Sequence, residues 1–500
     1  MKRSVWAFSA CVAVMLTSCA SSPQIPRTTS TLPAKTATTG KTHIDWPTFD
    51  FDAARSGVNL SEGVLTTGNI ANAHELWSAS LAGVEDSAPI LLHDLTFPDG
   101  SVHDVLYATT RSGSLVALDA KTGSTLWSHR PAGPHITHSS PVADPSRQYV
   151  YAYGLDGYVH KYVATSGAEI RTGGWPVRIT HMTGTEKESS ALNLADGYLY
   201  VTTSGYLGDA PPYQGHVVAV NLKTGVATVF NALCSDIHHL LTSSECTSEM
   251  AGIWARAGTV VDPLTGDVFA VTGNGPFTAN ENGTDWEDTV LKLSSDVTQV
   301  DDSYTPNDYQ HLDDYDVDLG STAPALLPSV PQSSTPLMLV QSGKDGILRL
   351  LNRSRMSGTG TPGGTGGELQ TIPLIGHCQV FTQPVAWKNP ATGYVMVFVA
   401  STCALQAFQV QTSATGTTSL QPVWSDQFTA TSPIVAGTVL YAATDHGLLG
   451  LNPLTGAQLW TARISSSGET LADFHWQSPI VVNGTIYCAD ESGHVYAFGL

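Results

Sequence analysis

The stretch GSLVALDAKTGSTLW, residues 113–127, returns near the end of the chain as GLLGLNPLTGAQLW, residues 447–460. In each copy an alternating apolar strand runs into Asp119 or Asn452, whose short side chain can bond the backbone of the turn that follows. A glycine, Gly123 or Gly456, takes the left-handed position, and a second strand ends on Trp127 or Trp460. The unit is a hairpin pegged by an indole. Weaker copies stand at NLKTG, residues 221–225, and at VATSG, residues 163–167, where the acid is lost. A lone four-stranded sheet cannot bury both faces, but copies stacked around an axis can, each tryptophan filling the gap to the next.

Inner strands are expected to start at Ser87, Ser140, Ser190, Trp254, Ala323, Gln383, Ser432 and Ser478, which gives an all-β, eight-bladed β-propeller. The last blade, WQSPIVVNGTIYCADESGHVYAFGL, stops after its third strand, while HELWSASL, residues 74–81, carries a tryptophan with no blade before it. This N-terminal strand is expected to close the ring and remove the free sheet edges. Composition agrees: 500 residues exceed one ordinary core, and 46 glycines with 28 prolines fit many turns. A net charge of −20, from 43 acids against 23 bases, argues against a nucleic-acid partner.

Lys2 and Arg3 precede an apolar run, residues 5–16, that is too short to span a bilayer. The following Leu16-Thr17-Ser18-Cys19 resembles the bacterial lipobox. That resemblance implies cleavage before Cys19 and a lipid on its thiol. It also implies a cell-envelope location, at the outer membrane facing the periplasm because Ala20 rather than aspartate follows; an ordinary signal peptide is the alternative. The expected organisation is a signal peptide at 1–18, a disordered Ser/Thr/Pro-rich tether at 19–43 and the propeller at 44–500. Cleavage removes two bases and no acid, so the mature chain meets anionic lipid only through its anchor. Cys234 and Cys246 bracket the loop CSDIHHLLTSSEC, where a disulfide would contribute about 3 kcal/mol. A zinc set with His238 and His239 is the other reading, though its spacing matches no standard finger. Cys378 and Cys403 form the second expected pair, with Cys488 a buried thiol.

The Asp-x-x-Thr-Gly-x-x-x-Trp pattern resembles the repeat of PQQ-type, quinoprotein dehydrogenase-like β-propellers, and the resemblance covers residues 46–500. That family holds pyrroloquinoline quinone (PQQ) dependent dehydrogenases and non-enzymatic envelope lipoproteins, among them the scaffold of the outer-membrane β-barrel assembly machinery. A repeat is a packing device and does not separate the two; the axial site does. GIWARAGTVVDPLTGDVFAVTGNGP, residues 252–276, is similar to the dehydrogenase segment that floors the quinone with a tryptophan and ligates Ca²⁺ with an asparagine. Those roles would fall to Trp254 and Asn274. YTPNDYQHLDDYDVDLG, residues 304–320, resembles the segment delivering the catalytic aspartate, which aligns with Asp316, with Asp318 close by. SGKDGILRLLNRS, residues 342–354, resembles the stretch whose cation, here Lys344, faces the quinone carbonyls.

Each residue also has a plainer reading: Trp254 as channel packing, Asn274 and Lys344 as turn residues, the aspartates as a solvated loop. The chain departs from the dehydrogenases as well. They place a glutamate calcium ligand after a Ser-Gly turn, whereas TTSGYLGDAPPYQG, residues 202–215, offers no glutamate and only Asp209 as a nearby carboxylate. Adjacent cysteines and a haem motif are absent from the sequence. On these departures the sequence places first a lipid-anchored envelope propeller that binds or scaffolds a protein partner, with a remnant quinone site. A dehydrogenase using PQQ and Ca²⁺ on a small alcohol or sugar comes second. A glycan-binding surface using Tyr309 or Trp286 is a third class.

Overall fold

Leu115–Asp119 and Thr125–His129 form the hairpin that the repeat predicts. The Asp119 carboxylate accepts the backbone N–H groups of Lys121 at 3.1 Å and Thr122 at 3.0 Å, and Gly123 sits at φ 72°. The peg then reaches the next blade: Trp127 donates its indole N–H to the Ala164 carbonyl at 2.9 Å. A Cβ on Gly167, itself at φ 67°, would lie 2.5 Å from that indole, so only glycine fits both the turn and its neighbour. Trp77 repeats the contact with Ala120 and Gly123, and Trp424 with Pro453 and Gly456. The recurring motif is thus a joint, with the tryptophan of one blade seated on the turn of the next.

The computed structural model describes residues 43–500 except 131–132, 134–135, 207–210 and 472. Eight sheets stand in a ring as an eight-bladed β-propeller. His74–Ser80 pairs antiparallel with His494–Gly499 and supplies the outer strand that the last blade lacks. Apolar residues from facing sheets form the clusters between blades, such as Tyr151, Leu199 and Val218 between the second and third. Cys234 is joined to Cys246 and Cys378 to Cys403, so neither pair is free for zinc; Cys488 is a buried thiol. His239 instead bonds Glu245 at 2.9 Å.

Residues 46–59 cross the inner strands of several blades. Trp46 pairs with Leu91, the Pro47 carbonyl accepts from Ala143, the Ala53 carbonyl from Val261 and the Gly57 carbonyl from Val435. Val58–Asn59 adds a parallel strand to Ile434–Ala436. The fully buried Arg55 donates to the carbonyls of Leu192 at 2.9 Å, Ala191 at 3.2 Å and Thr259 at 3.4 Å, tying the third and fourth blades together.

Three expectations change. Trp254 does not open an inner strand: that strand is Val260–Val261, and Trp254 lies in the irregular segment ahead of it. Trp286 is buried, its N–H bonded to Ser235 within the loop that the Cys234–Cys246 bridge closes; it is no platform for a sugar. The acidic run is partly helical, Tyr309–Tyr315, rather than a loop throughout. Cys19, the signal peptide, the tether up to residue 42 and Asp209 all lie outside the described residues.

Candidate functional site

A cavity of ≈ 380 Å³ is lined by residues from loops far apart in the chain, among them His138, Tyr206, Trp254, Asp316, Lys344 and Trp476. Local structure explains how each reaches it. Asp316 caps the C-terminus of the Tyr309–Tyr315 helix in the left-handed conformation, φ 53°, which turns the chain inward. Two residues later Asp318 enters a short turn, Leu319–Ser321, that passes so close to the fourth blade that a Cβ on Gly320 would lie 2.5 Å from the Thr272 backbone. Lys344 follows the strand Met338–Gln341 and is anchored by its own N–H to the Asp318 carbonyl at 2.9 Å. Asn274 follows Val268–Val271.

These side chains meet. The Lys344 ammonium donates to Asp316 at 2.7 Å and to Asp318 at 3.2 Å, and stands 5.2 Å from the centroid of the Trp254 ring. Trp254 donates its indole N–H to the other oxygen of Asp318 at 3.1 Å. The Asn274 amide nitrogen lies 3.3 Å from Asp316, while its amide oxygen is buried and has no hydrogen-bond partner among the described residues. The two aspartates differ in environment: the Asp316 side chain is 67% exposed, that of Asp318 only 7%. Burial lifts the Asp318 carboxyl to about 6 against the pull of Lys344, with Asp316 adding to the rise. Burial lowers the Lys344 ammonium, but Asp318 and Asp316 outweigh it and hold it above its usual value.

The other wall of the cavity carries residues that the sequence reading did not single out. Arg256 lies over the Trp476 ring at 4.3 Å, and Trp254, Phe381 and Trp476 form an aromatic series with centroids 6.0 and 5.7 Å apart. Behind them the buried Asp86 carboxylate accepts from Arg111 at 2.6 Å, His138 at 2.7 Å and His475 at 2.9 Å. Burial pushes Asp86 up, but the two imidazoles outweigh it and hold the carboxyl far below its usual range. Burial pushes the His138 imidazole down to about 4, so at neutral pH it is uncharged. Arg111 already fills the space between these side chains, which makes a cation site there unsuitable.

Asn274, Asp316 and Asp318 offer ligand types suited to a hard cation, an amide oxygen without a partner among the described residues and two carboxylates. The Lys344 ammonium holds both carboxylates, however, and the Asn274 amide nitrogen faces Asp316, so a cation there competes with Lys344. Tyr206 stands where the glutamate segment begins, and the residues after it fall outside those described. Aromatic faces, Lys187, Arg256 and Lys344 suit a flat, anionic ligand.

A closed propeller whose hub gathers an indole, two carboxylates, an amide and an ammonium group defines a class, the PQQ-like propellers. The chain belongs to the PQQ_2 family, whose model, described as outer membrane protein assembly factor BamB, matches residues 61–322 and 381–500. Among curated proteins no match is found. Of solved structures, a quinohemoprotein alcohol dehydrogenase from Comamonas testosteroni is 15% identical with TM-score 0.63, over 91% of this chain and 80% of that one. A europium-containing methanol dehydrogenase is 15% identical with TM-score 0.66, over 91% and 98%. BamB from Moraxella catarrhalis is 14% identical with TM-score 0.50, over 86% and 98%. Identities this low establish the fold alone.

Proposed function

We propose that the protein is a quinone-dependent dehydrogenase of the cell envelope, tethered through Cys19, that oxidises a small alcohol or sugar. This reverses the order of the two readings that the sequence suggests. The observation that carries it is the meeting of Trp254, Asp316 and Lys344 on one cavity, with Asp318 and Asn274 bonded to them from behind and the Asn274 amide oxygen buried and without a partner among the described residues.

Trp254 and Lys344 would hold PQQ, and Asn274, Asp316 and Asp318 the cation. Bound there, the pair supplies a hydride acceptor and a Lewis acid at its carbonyl. Asp316 is the exposed carboxylate and takes the substrate hydroxyl proton. Asp318, held by Trp254 and Lys344, positions that end of the site. Phe381 and Trp476 wall off water.

Reconstitution with PQQ and either Ca²⁺ or Eu³⁺, followed by dye reduction on a panel of alcohols and aldoses, tests the reading. Activity should appear and should fall about a hundredfold or more in Asp316→Asn. No turnover with any cation or substrate would overturn it. The family's BamB description supports the scaffold reading in its place, and envelope crosslinking that captures a defined protein partner would then be expected.

A further inference from the structure

Val268–Val271 and Val290–Leu293 pair antiparallel, and the pairing continues past their ends: Thr272 donates its N–H to the Thr289 carbonyl and Asp288 to the Gly273 carbonyl, each at 3.1 Å. Asn274 and Gly275 thereby come to stand opposite Glu287. The Glu287 carboxylate accepts the Gly275 N–H at 3.1 Å, and Asp313, on the helix Tyr309–Tyr315, reaches the same N–H. Glu287 is only 3% exposed, yet the charges that act on it are those of further acids, Asp313 and Asp314. No lysine, arginine or histidine among the described residues figures beside Glu287 or Asp313, whereas Asp316 and Asp318 have Lys344. Asn274 is buried as well, 8% exposed, and turns its amide nitrogen toward Asp316 at 3.3 Å. That leaves the amide oxygen on the other branch, buried and without a hydrogen-bond partner among the described residues. A buried carboxylate among like charges and a buried carbonyl oxygen without a donor are each unfavourable alone, and one cation satisfies both.

We propose that the hairpin at 272–289 and the helix Tyr309–Tyr315 hold a hard divalent cation of the Ca²⁺ class between them, with Glu287, Asp313 and the Asn274 amide oxygen as its protein ligands and water as the rest. Neither Glu287 nor Asp313 lines the axial cavity, so this ion is separate from one placed beside Lys344 and does not rest on the dehydrogenase reading. Carboxylates and an amide oxygen are calcium ligands; zinc or copper would call for the imidazole or thiolate that this set lacks. One ligand comes from a buried hairpin and another from the exposed face of a short helix, which gives an entry path and an adaptable cage. Such a cage suits the irregular coordination of calcium better than the strict octahedron of magnesium. The ion clamps the helix to the fourth blade, a joint that the contact between the Phe277 and Tyr309 rings, 4.8 Å apart, also serves. Because Asp316 caps that helix, occupancy of the site sets how Asp316 meets Lys344.

The test needs no quinone: the cofactor-free protein is titrated with Ca²⁺ by calorimetry and with Tb³⁺ by luminescence. One ion per chain should bind, with a Kd of roughly 0.1–1 mM for Ca²⁺, and should raise the melting temperature. Asp316→Asn, which removes a carboxylate held by Lys344, should leave the affinity within about twofold, while Glu287→Gln should weaken it about tenfold or more. In EGTA, Glu287→Gln should melt no lower than the wild type, since a neutral group of the same shape replaces a buried acid, but the rise with calcium should be lost. Asp313→Asn alters an exposed side chain, and it should weaken binding severalfold whether or not Glu287→Gln folds well. No ion bound at ten times the expected Kd overturns the proposal. So does binding that survives both Glu287→Gln and Asp313→Asn, or binding that Asp316→Asn abolishes, which would put the ion at the Lys344 end.

Discussion

Lys344 neutralises two carboxylates at once, yet only Asp318 carries the cost of burial. Because its carboxyl is lifted to about 6 in the folded chain, from an ordinary 3.8, the folded state favours the protonated form. The stability this group contributes is therefore full below about pH 4 and lost as pH rises through about 6. Asp318→Asn removes that dependence. Its melting temperature should gain on the wild type between pH 4 and pH 7, by no more than about 3 kcal/mol in stability. An equal difference at both ends of that range would show that burial does not govern this carboxyl. At this scale the sequence was legible where a family segment carried the residue, as for Trp254 and Asp316. It was silent on His138, Phe381 and Trp476, although a signal existed. Each stands two places before an inner-strand start, at Ser140, Gln383 and Ser478, and that register aims all three at the hub.

The hairpin joint is where pattern and packing agree most fully. Asp119, Gly123 and Trp127 recur because each answers a separate demand, namely turn closure, positive φ and an indole from the neighbouring blade. Trp127→Phe keeps most of the apolar contact but loses the bond to Ala164, and should cost about 1 kcal/mol. Gly167→Ala forces a methyl against the same indole at positive φ and should cost about 1–3 kcal/mol. Combined, the two should fall short of additivity, since the smaller ring relieves the clash. Urea midpoints measure all three; two neutral single variants would mean that the repeat does not work as a joint. The irregular element ahead of Val260–Val261 escaped prediction because its tryptophan is placed by Asp318 and Lys344 from the fifth blade, not by local strand pattern.

Across the molecule, closure comes from both ends. His74–Ser80 completes the last blade, and residues 46–59 run over the inner strands with Arg55 as the tie. The eight blades and the closing strand could be read from sequence, since both rest on repeated patterns. The crossing segment could not, because it has no period and its partners are backbone groups of the inner strands. Arg55→Ala leaves those carbonyls unpaired and should lower stability by about 3 kcal/mol while keeping one cooperative thermal transition. Calorimetry that instead resolves two transitions would mean that the ring is not a single folding unit.

The central claim, that the hub is a quinone and cation site, is tested most directly by titrating the cofactor-free protein with PQQ in the presence and absence of Ca²⁺ or Eu³⁺, following quinone absorbance and the melting temperature. One quinone per chain, bound only with a cation, raising the melting temperature and lost in Asp316→Asn, is the predicted result. Absence of binding, or binding indifferent to both the cation and Asp316, would contradict it.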